Sequence, residues 1–226
     1  MPVRLDAALR QDLPMPVPAA PAPEPDRWYA QEALSGTLVT LVPLQPEHAE
    51  GYAAAVRSDG GADQVYRWLG RAPVPVTAEL ARAEILAALA ARARGDRFPF
   101  AQLDSGTGEV LGTTSYYEVR PELRTLAIGY TWLGRRWWRT GHNTESKLLL
   151  LSQAFDVLGA ARVVWHTDVL NERSRAAIER LGATFEGVLR KHRIRADGTW
   201  RDTAQYAMTD EDWPAARDRL QSSLSR

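Results

Sequence analysis

At 226 residues, with 45% hydrophobic and 25% charged side chains, the chain has material for one main domain with a sizeable core plus an appendage. Its 28 basic and 28 acidic groups cancel, which removes the electrostatic case for nucleic acid or an anionic membrane as partner. It has no cysteine, so disulfide frameworks, thiolate metal sites and cysteine nucleophiles are excluded.

No apolar run approaches the ~18 residues of a membrane span. Arg4, Asp6 and Arg10 interrupt the start where a signal peptide needs apolar residues, so the cytoplasm is the expected location. Half of the fourteen prolines precede residue 26. Such a run forms neither helix nor ladder and prefers extended geometry, so residues 1–35 read as an extended or disordered leader and 36–226 as a single domain. Thr37–Val42 is a β-branched strand. Pro46 opens a helix to about Val56, and Thr77 caps another in which Leu80, Ile85, Leu86 and Leu89 recur at helical spacing. Phe98–Leu103, Val110–Glu118 and Arg124–Leu133 follow as strands, and the short turns between them make an antiparallel meander. Strand 124–133 leads through a loop into a helix over 143–158, ended by Gly159, and then into strand Arg162–Asp168. That is a βαβ unit with parallel or splayed neighbours. A helix over Asn171–Leu181, closed by Gly182, precedes strands Phe185–Arg195 and Trp200–Met208. Asp197-Gly198 between them signals a hairpin; a two-residue turn sets Ala196 against Thr199 and Arg193 against Asp202. A last helix runs from about Glu211 to Leu220.

The loop before the long helix is the most informative stretch. A helix start leaves backbone N–H groups unpaired and carries partial positive charge, and Arg135, Arg136 and Arg139 beside it suit phosphate groups. Asn143 is the expected N-cap, and Gly141 the position for close backbone approach or positive φ. With one glycine and no Gly-Lys-Ser/Thr, the loop is neither a P-loop nor a dinucleotide fingerprint. Helix 143–158 itself, with Leu148, Leu151, Ala154, Phe155 and Leu158 at helical spacing, is assigned to packing. Asn171 caps the next helix, with Ser174 at its third position. That helix begins beyond the carboxyl end of strand 162–168, as the loop does beyond strand 124–133, so two polar helix starts converge on one crevice. Trp132, Trp137, Trp138 and Trp165 are read first as packing aromatics. His166 and Asp168 share a strand face without a second pair, so no metal site is expected.

Four segments in order carry a resemblance: Ile128-Gly129-Tyr130-Thr131-Trp132-Leu133-Gly134, Trp138-Arg139-Thr140-Gly141-His142-Asn143-Thr144-Glu145, Asn171-Glu172-Arg173-Ser174, and Leu181-Gly182-Ala183-Thr184-Phe185-Glu186-Gly187. Together they resemble the GCN5-related N-acetyltransferases (GNAT), and within them the branch that acetylates N-terminal alanine or serine of ribosomal proteins. The resemblance covers about residues 36–210. It implies a mixed α+β fold, with a mostly antiparallel twisted sheet of about seven strands, a splayed parallel pair in the middle and helices on both faces. It implies acetyl-CoA as cosubstrate. The pyrophosphate would sit on the backbone of Arg139, Thr140, Gly141, His142, Asn143 and Thr144. The pantetheine arm would add like a strand beside Trp132 and Leu133, and Asn171 would bond the arm or the neighbouring strand. Ser174 would lie near the thioester sulfur, as the candidate to protonate the leaving thiolate. A primary amine, from a protein N-terminus or a small molecule, would attack the acetyl carbonyl directly.

The chain departs from the family pattern at three places. Arg139 and Asn143 stand where the loop usually has small residues, and Ala127 stands where a carboxylate is common. The stretch Arg190-Lys191-His192-Arg193 offers no glutamate base; His192 is the residue there whose ordinary pKa suits a base near neutrality. The leading reading is an acetyl-CoA-dependent N-acetyltransferase, and the alternative is a non-catalytic acyl-CoA-binding module. Nucleic-acid binding through Arg190, Lys191, Arg193 and Arg195 is disfavoured, because strand alternation spreads these residues over both faces. Neither nucleic acid nor membrane is expected as partner, and a homodimer is compatible with the sequence.

Overall fold

The computed structural model describes residues 25–69, 73–195 and 197–225. The proline run before residue 25 and Ala196 lie outside them. Runs rich in β-branched and aromatic residues become eight strands: β1 Leu34–Ser35, β2 Val39–Pro43, β3 Arg97–Asp104, β4 Val110–Arg120, β5 Thr125–Leu133, β6 Arg162–Asp168, β7 Thr184–Ile194 and β8 Trp200–Thr209. They form one sheet in the order β1-β2-β3-β4-β5-β6-β8-β7. Each pairing is antiparallel except β5 with β6, so the mixed α+β architecture with a central parallel pair is as the resemblance implied.

Helices cover both faces. On one, α2 (Ala49–Arg57), α3 (Ala62–Tyr66) and α4 (Ala78–Ala93) bury Tyr52, Val56, Tyr66 and Ile85 against Ala101 and Trp132. On the other, α5 (His142–Ser152), α6 (Glu172–Leu181) and α7 (Trp213–Leu224) bury Leu150, Leu151, Ile178 and Leu220 against Val39, Leu111, Ile128 and Val163. Both clusters are the apolar stripes of amphipathic helices meeting alternate residues of the strands.

Several local expectations are corrected. Residues 25–35 are not an extended strap. Pro25–Tyr29 is a short helix, α1, whose Trp28 is 2% exposed within the α5–α7 core, and Leu34 and Ser35 pair with Leu41 and Thr40 of β2. An indole buries too much apolar surface to be left outside when a core lies within reach. The two-residue β1 is the strand beyond the seven expected. In the β7–β8 hairpin, the Arg195 N–H donates to the Thr199 carbonyl at 2.8 Å and Gly198 has φ 81°, so the loop has three residues instead of two. A left-handed glycine ending a three-residue loop is the usual device for that length. Arg193 therefore faces Arg201, and Asp202 accepts from the Lys191 N–H at 2.7 Å. The long helix begins at His142, with Gly141 as N-cap and no capping side chain, which makes Asn143 its second residue and not its cap. Its α-helical part stops at Ser152 and a π-turn, Gln153–Val157, carries the chain to Gly159 at φ 67°.

Candidate active site

The site is built where the sheet comes apart. β5 and β6 pair only through Thr125–Arg162, Leu126–Val163 and Ala127–Val164, although β5 continues beside β4 to Leu133 and β6 beside β8 to Asp168. A β-bulge follows at once. Thr113 pairs with Trp132 and Ser115 with Gly129, so Thr114 stands against both Tyr130 and Thr131. Tyr130 takes up the extra length with φ 52°. On the α2–α4 face its ring lies under the Arg97 guanidinium, 4.0 Å away, and edge-on to Tyr117 at 5.4 Å. Arg97 is itself held by Ser115 Oγ at 2.8 Å. The Trp132 carbonyl faces β4: it accepts from Gln102 Nε2 at 3.2 Å and lies 2.0 Å from where a Cβ on Gly112 would stand, so only glycine fits there. The Leu133 carbonyl accepts from the Trp138 indole at 2.8 Å.

After β5 the chain makes a 3-10 turn, Arg135–Trp137, and reaches α5 through Trp138–Gly141. The first intrahelical bond runs from Glu145 N–H to the Gly141 carbonyl, which leaves the amides of His142, Asn143 and Thr144 as the orphan donors of the helix start. The side chains around them are mostly engaged within the loop. His142 is buried between Thr140 Oγ1 (2.9 Å from Nδ1) and Asp104 Oδ2 (3.3 Å from Nε2), and the Thr140 hydroxyl donates to the Trp137 carbonyl. Arg135 donates to the Asp59 carbonyl, and Arg136 pairs with Glu109. Arg139 is exposed and carries the left-handed backbone, φ 61°, that the sequence reading had placed at Gly141. Gly141 has an ordinary φ of −66°; a Cβ there would stand 2.7 Å from Leu38 Cδ1, so its smallness serves packing.

The start of α6 meets this loop, as expected. Asn171 caps α6 with Oδ1 accepting from the Ser174 N–H at 3.1 Å, and the Arg173 guanidinium lies 3.6 Å over the Trp138 ring, linking the two helix starts across the crevice. Ser174 is half-buried, and its hydroxyl makes no hydrogen bond among the described residues.

His192 stands apart from Ser174. It lies exposed on β7, its ring 5.7 Å from His166, which is held by the Tyr117 hydroxyl at 2.9 Å and Gln205 at 3.1 Å. This is the α2–α4 face, whereas α6 packs on the other. Desolvation, with Arg193, His166 and Arg201 adding to it, holds His192 below its ordinary pKa. Burial first, with Glu118 second, pushes the Tyr117 phenol far above its usual range. On the same face a small cleft opens beside the bulge, walled by Tyr52, Tyr66, Trp132, Tyr130, Arg97 and Glu84. The Tyr52 and Tyr66 hydroxyls are 2.6 Å apart and both rings pack on Trp132. Sequence reading missed this cleft because its walls come from α2, α3, α4, β3 and β5, distant in sequence. The only signal was a clustering of aromatics, which packing alone also explains.

It missed two charged residues of α5 as well. Glu145, 7% exposed, accepts from the N–H groups of Thr37, Leu38 and Val39 at 3.0, 2.6 and 2.7 Å, and so ties the helix start to β2. Lys147, 4% exposed, donates from Nζ to Thr114 Oγ1 and Thr131 Oγ1, each at 3.0 Å. Burial lowers its pKa from 10.5 to about 7.

This arrangement, a parallel pair that parts before a bulge with a helix beginning after each strand, is matched by comparison with known proteins. Residues 39–184 match the family model of the acetyltransferase (GNAT) domain, and the chain belongs to that family of acetyltransferases. The uncharacterized N-acetyltransferase YoaA of Bacillus subtilis is 30% identical over 149 residues, 65% of this chain and 81% of the relative. The [ribosomal protein uS5]-alanine N-acetyltransferase of Escherichia coli is 26% identical over 125 residues, 55% of this chain and 63% of that enzyme. The crystal structure of a GCN5-related N-acetyltransferase from Brucella melitensis superposes with a TM-score of 0.81 at 31% identity, covering 90% of this chain and 88% of that one. Among the described residues, no helix is long and apolar enough to cross a membrane.

Proposed function

We propose that the protein is an acetyl-CoA-dependent N-acetyltransferase whose acceptor is a primary amine, with a protein N-terminus as the favoured class. The observation that carries this is the gap between β5 and β6, with α5 and α6 each beginning after one of the two parted strands. The first has three unpaired amides, and the second a Ser174 hydroxyl that makes no hydrogen bond among the described residues. Acetyl-CoA, when bound, supplies the activated acetyl group. The amides of His142, Asn143 and Thr144 would hold its diphosphate, with Arg139 able to add a side-chain contact. The main chain of β5 between Thr131 and Leu133 would receive the pantetheine arm as an added strand. Asn171 spends Oδ1 on its cap, which leaves its amide nitrogen for the arm. Ser174 would hand a proton toward the sulfur from the α6 side.

The acceptor would enter from the opposite face, through the cleft beside Tyr130. Amine and sulfur would meet at the acetyl carbon within the gap, with His192 reaching the amine from one face of the sheet and Ser174 reaching the sulfur from the other. The two residues would thus have independent roles instead of a shared one. His192, kept neutral at pH 7, is the proposed proton acceptor on the amine side. The uS5-alanine relative motivates the choice of a protein acceptor, since its name gives an alanine of a ribosomal protein as the residue that is N-acetylated.

The test is isothermal titration with acetyl-CoA followed by thiol release against a panel of amines, including peptides that begin with Ala or Ser. Binding heat with thiol release on at least one amine is expected. Ser174→Ala should lower kcat by about tenfold or more and leave the Kd of CoA within twofold, as general acid–base groups do when removed. No heat with acetyl-CoA would overturn the reading; heat without thiol release on any amine would leave the non-catalytic acyl-CoA module in its place.

A further inference from the structure

Lys147 lies on the buried side of α5, and its stem crosses the core so that Nζ ends beneath the bulge of β5. Nζ bonds the hydroxyls of Thr114 and Thr131, which are themselves 2.8 Å apart. These are the residues that the bulge brings together, because Thr114 on β4 stands against the Tyr130–Thr131 pair. Packing alone does not call for an amine here. Burial is the sole cause of its lowered pKa, and a methionine of similar volume would fill the space without desolvating an ionisable group. Nor does a neighbouring charge explain it. Tyr116 on β4 gives its phenol proton to the Leu150 carbonyl, and Glu145 on α5 is turned to the amides of β2. β2 and α7 contribute Val39, Leu41, Ala216 and Leu220 to this core. On the far side of the strand, Arg97 and Tyr117 hold the Tyr130 ring. The bulge is thus held from both faces, by the Tyr130 ring on one and by its neighbour Thr131 on the other, as a left-handed residue must be fixed if the strain is to persist.

We propose that Lys147 is a positioning residue for acetyl transfer: from the helix whose first turn meets the diphosphate, it fixes the bulge of β5 through Thr131, and with it the edge on which the thioester lies. It rests on the donor site proposed above. Lys147 acts through Thr131 and touches neither donor nor acceptor. The same contact ties occupancy of the α5 start to the geometry of the bulge, so the two ends of the donor are registered against each other by one side chain.

The chain has two lysines, Lys147 and Lys191. Lysine labelled with carbon-13 at Cε therefore gives two resonances, with exposed Lys191 as internal reference. Titrating acetyl-CoA into the labelled protein should shift the Lys147 signal and leave that of Lys191 in place. Lys147→Met and Thr131→Val should each lower kcat at least tenfold, with the acceptor found by the amine panel, while the calorimetric Kd for acetyl-CoA stays within twofold. Thr131→Ser, which keeps the hydroxyl, should restore kcat to within threefold of the parent. If acetyl-CoA binds with measurable heat while the Lys147 signal is unmoved, or if Thr131→Val turns over like the parent, the proposal is wrong although the donor site stands. Absence of heat overturns the donor site first, and the role of Lys147 with it. Should Lys147→Met fail to fold, the Thr131 pair and the labelled parent decide the matter.

Discussion

A buried lysine has a thermodynamic signature that can be read without any ligand. The unfolded chain keeps Lys147 protonated up to about pH 10.4, whereas the folded protein releases that proton near 7. Between those values the unfolded state holds the extra proton, so folding stability rises with pH, at a slope approaching about 1.4 kcal/mol per unit. Stability is correspondingly lost as the pH falls toward 7. Lys147→Met should remove this slope between pH 7 and 10 and raise stability at neutral pH, as measured by urea unfolding at several pH values. A variant that keeps the full slope would show that another group is responsible. Lys147 also marks a limit of what residues reveal in isolation. In the sequence it falls under packing with the rest of the helix, and only the contact of Thr114 with Thr131 across the bulge gives its amine a place. Asn171 was the opposite case: a capping residue three positions before Ser174 is a local arrangement, and the structure has it capping as expected.

At the scale of elements, the start of α5 carries the proposed diphosphate site. Asn143 is its second residue, where proline is sterically welcome but has no N–H to offer. Asn143→Pro should therefore leave Tm within a few degrees and weaken acetyl-CoA binding by about tenfold, the loss of one charge-assisted hydrogen bond. Calorimetry beside thermal unfolding separates the two effects, and an unchanged Kd would place the diphosphate elsewhere. The loop in front of this helix reads as a candidate phosphate site because arginines, one glycine and a helix start coincide. Its internal division of labour was not. That Arg139 takes the left-handed turn, and that His142 is bonded to Asp104, depend on β3 and on the packing of Leu38, neither of which the local sequence shows. The β7–β8 hairpin makes the same point. Asp197-Gly198 announced the reversal, but the extra loop residue shifted the pairs next to the turn, and the expected Arg193–Asp202 contact became Arg193 against Arg201.

For the molecule as a whole, the β3–β5 meander, the final hairpin and the parallel passage from β5 to β6 could be read from connection lengths and turn signals, because short turns force antiparallel neighbours. That β8 and not β7 lies beside β6 could not be read, because the connection through α6 carries the chain past that place. The boundary of the packed unit could not, because a single tryptophan decides it. Trp28 lies among proline-rich residues yet is 2% exposed in the main core. Trp28→Ala should cost about 3–5 kcal/mol, within the range for truncating a buried large aromatic, and chemical denaturation would register it. A loss below about 1 kcal/mol would mean that the core closes without α1.

The parting of β5 from β6 has one more consequence. Three residue pairs hold two half-sheets side by side, five strands on one flank and three on the other, so the fold carries a seam along the line where the donor would lie. A molecule seated in that seam would act as a staple between the halves, and its departure would free them to breathe. In such a protein the grip on the reactant and the stiffness of the scaffold are one quantity: whatever tightens the first must quieten the second.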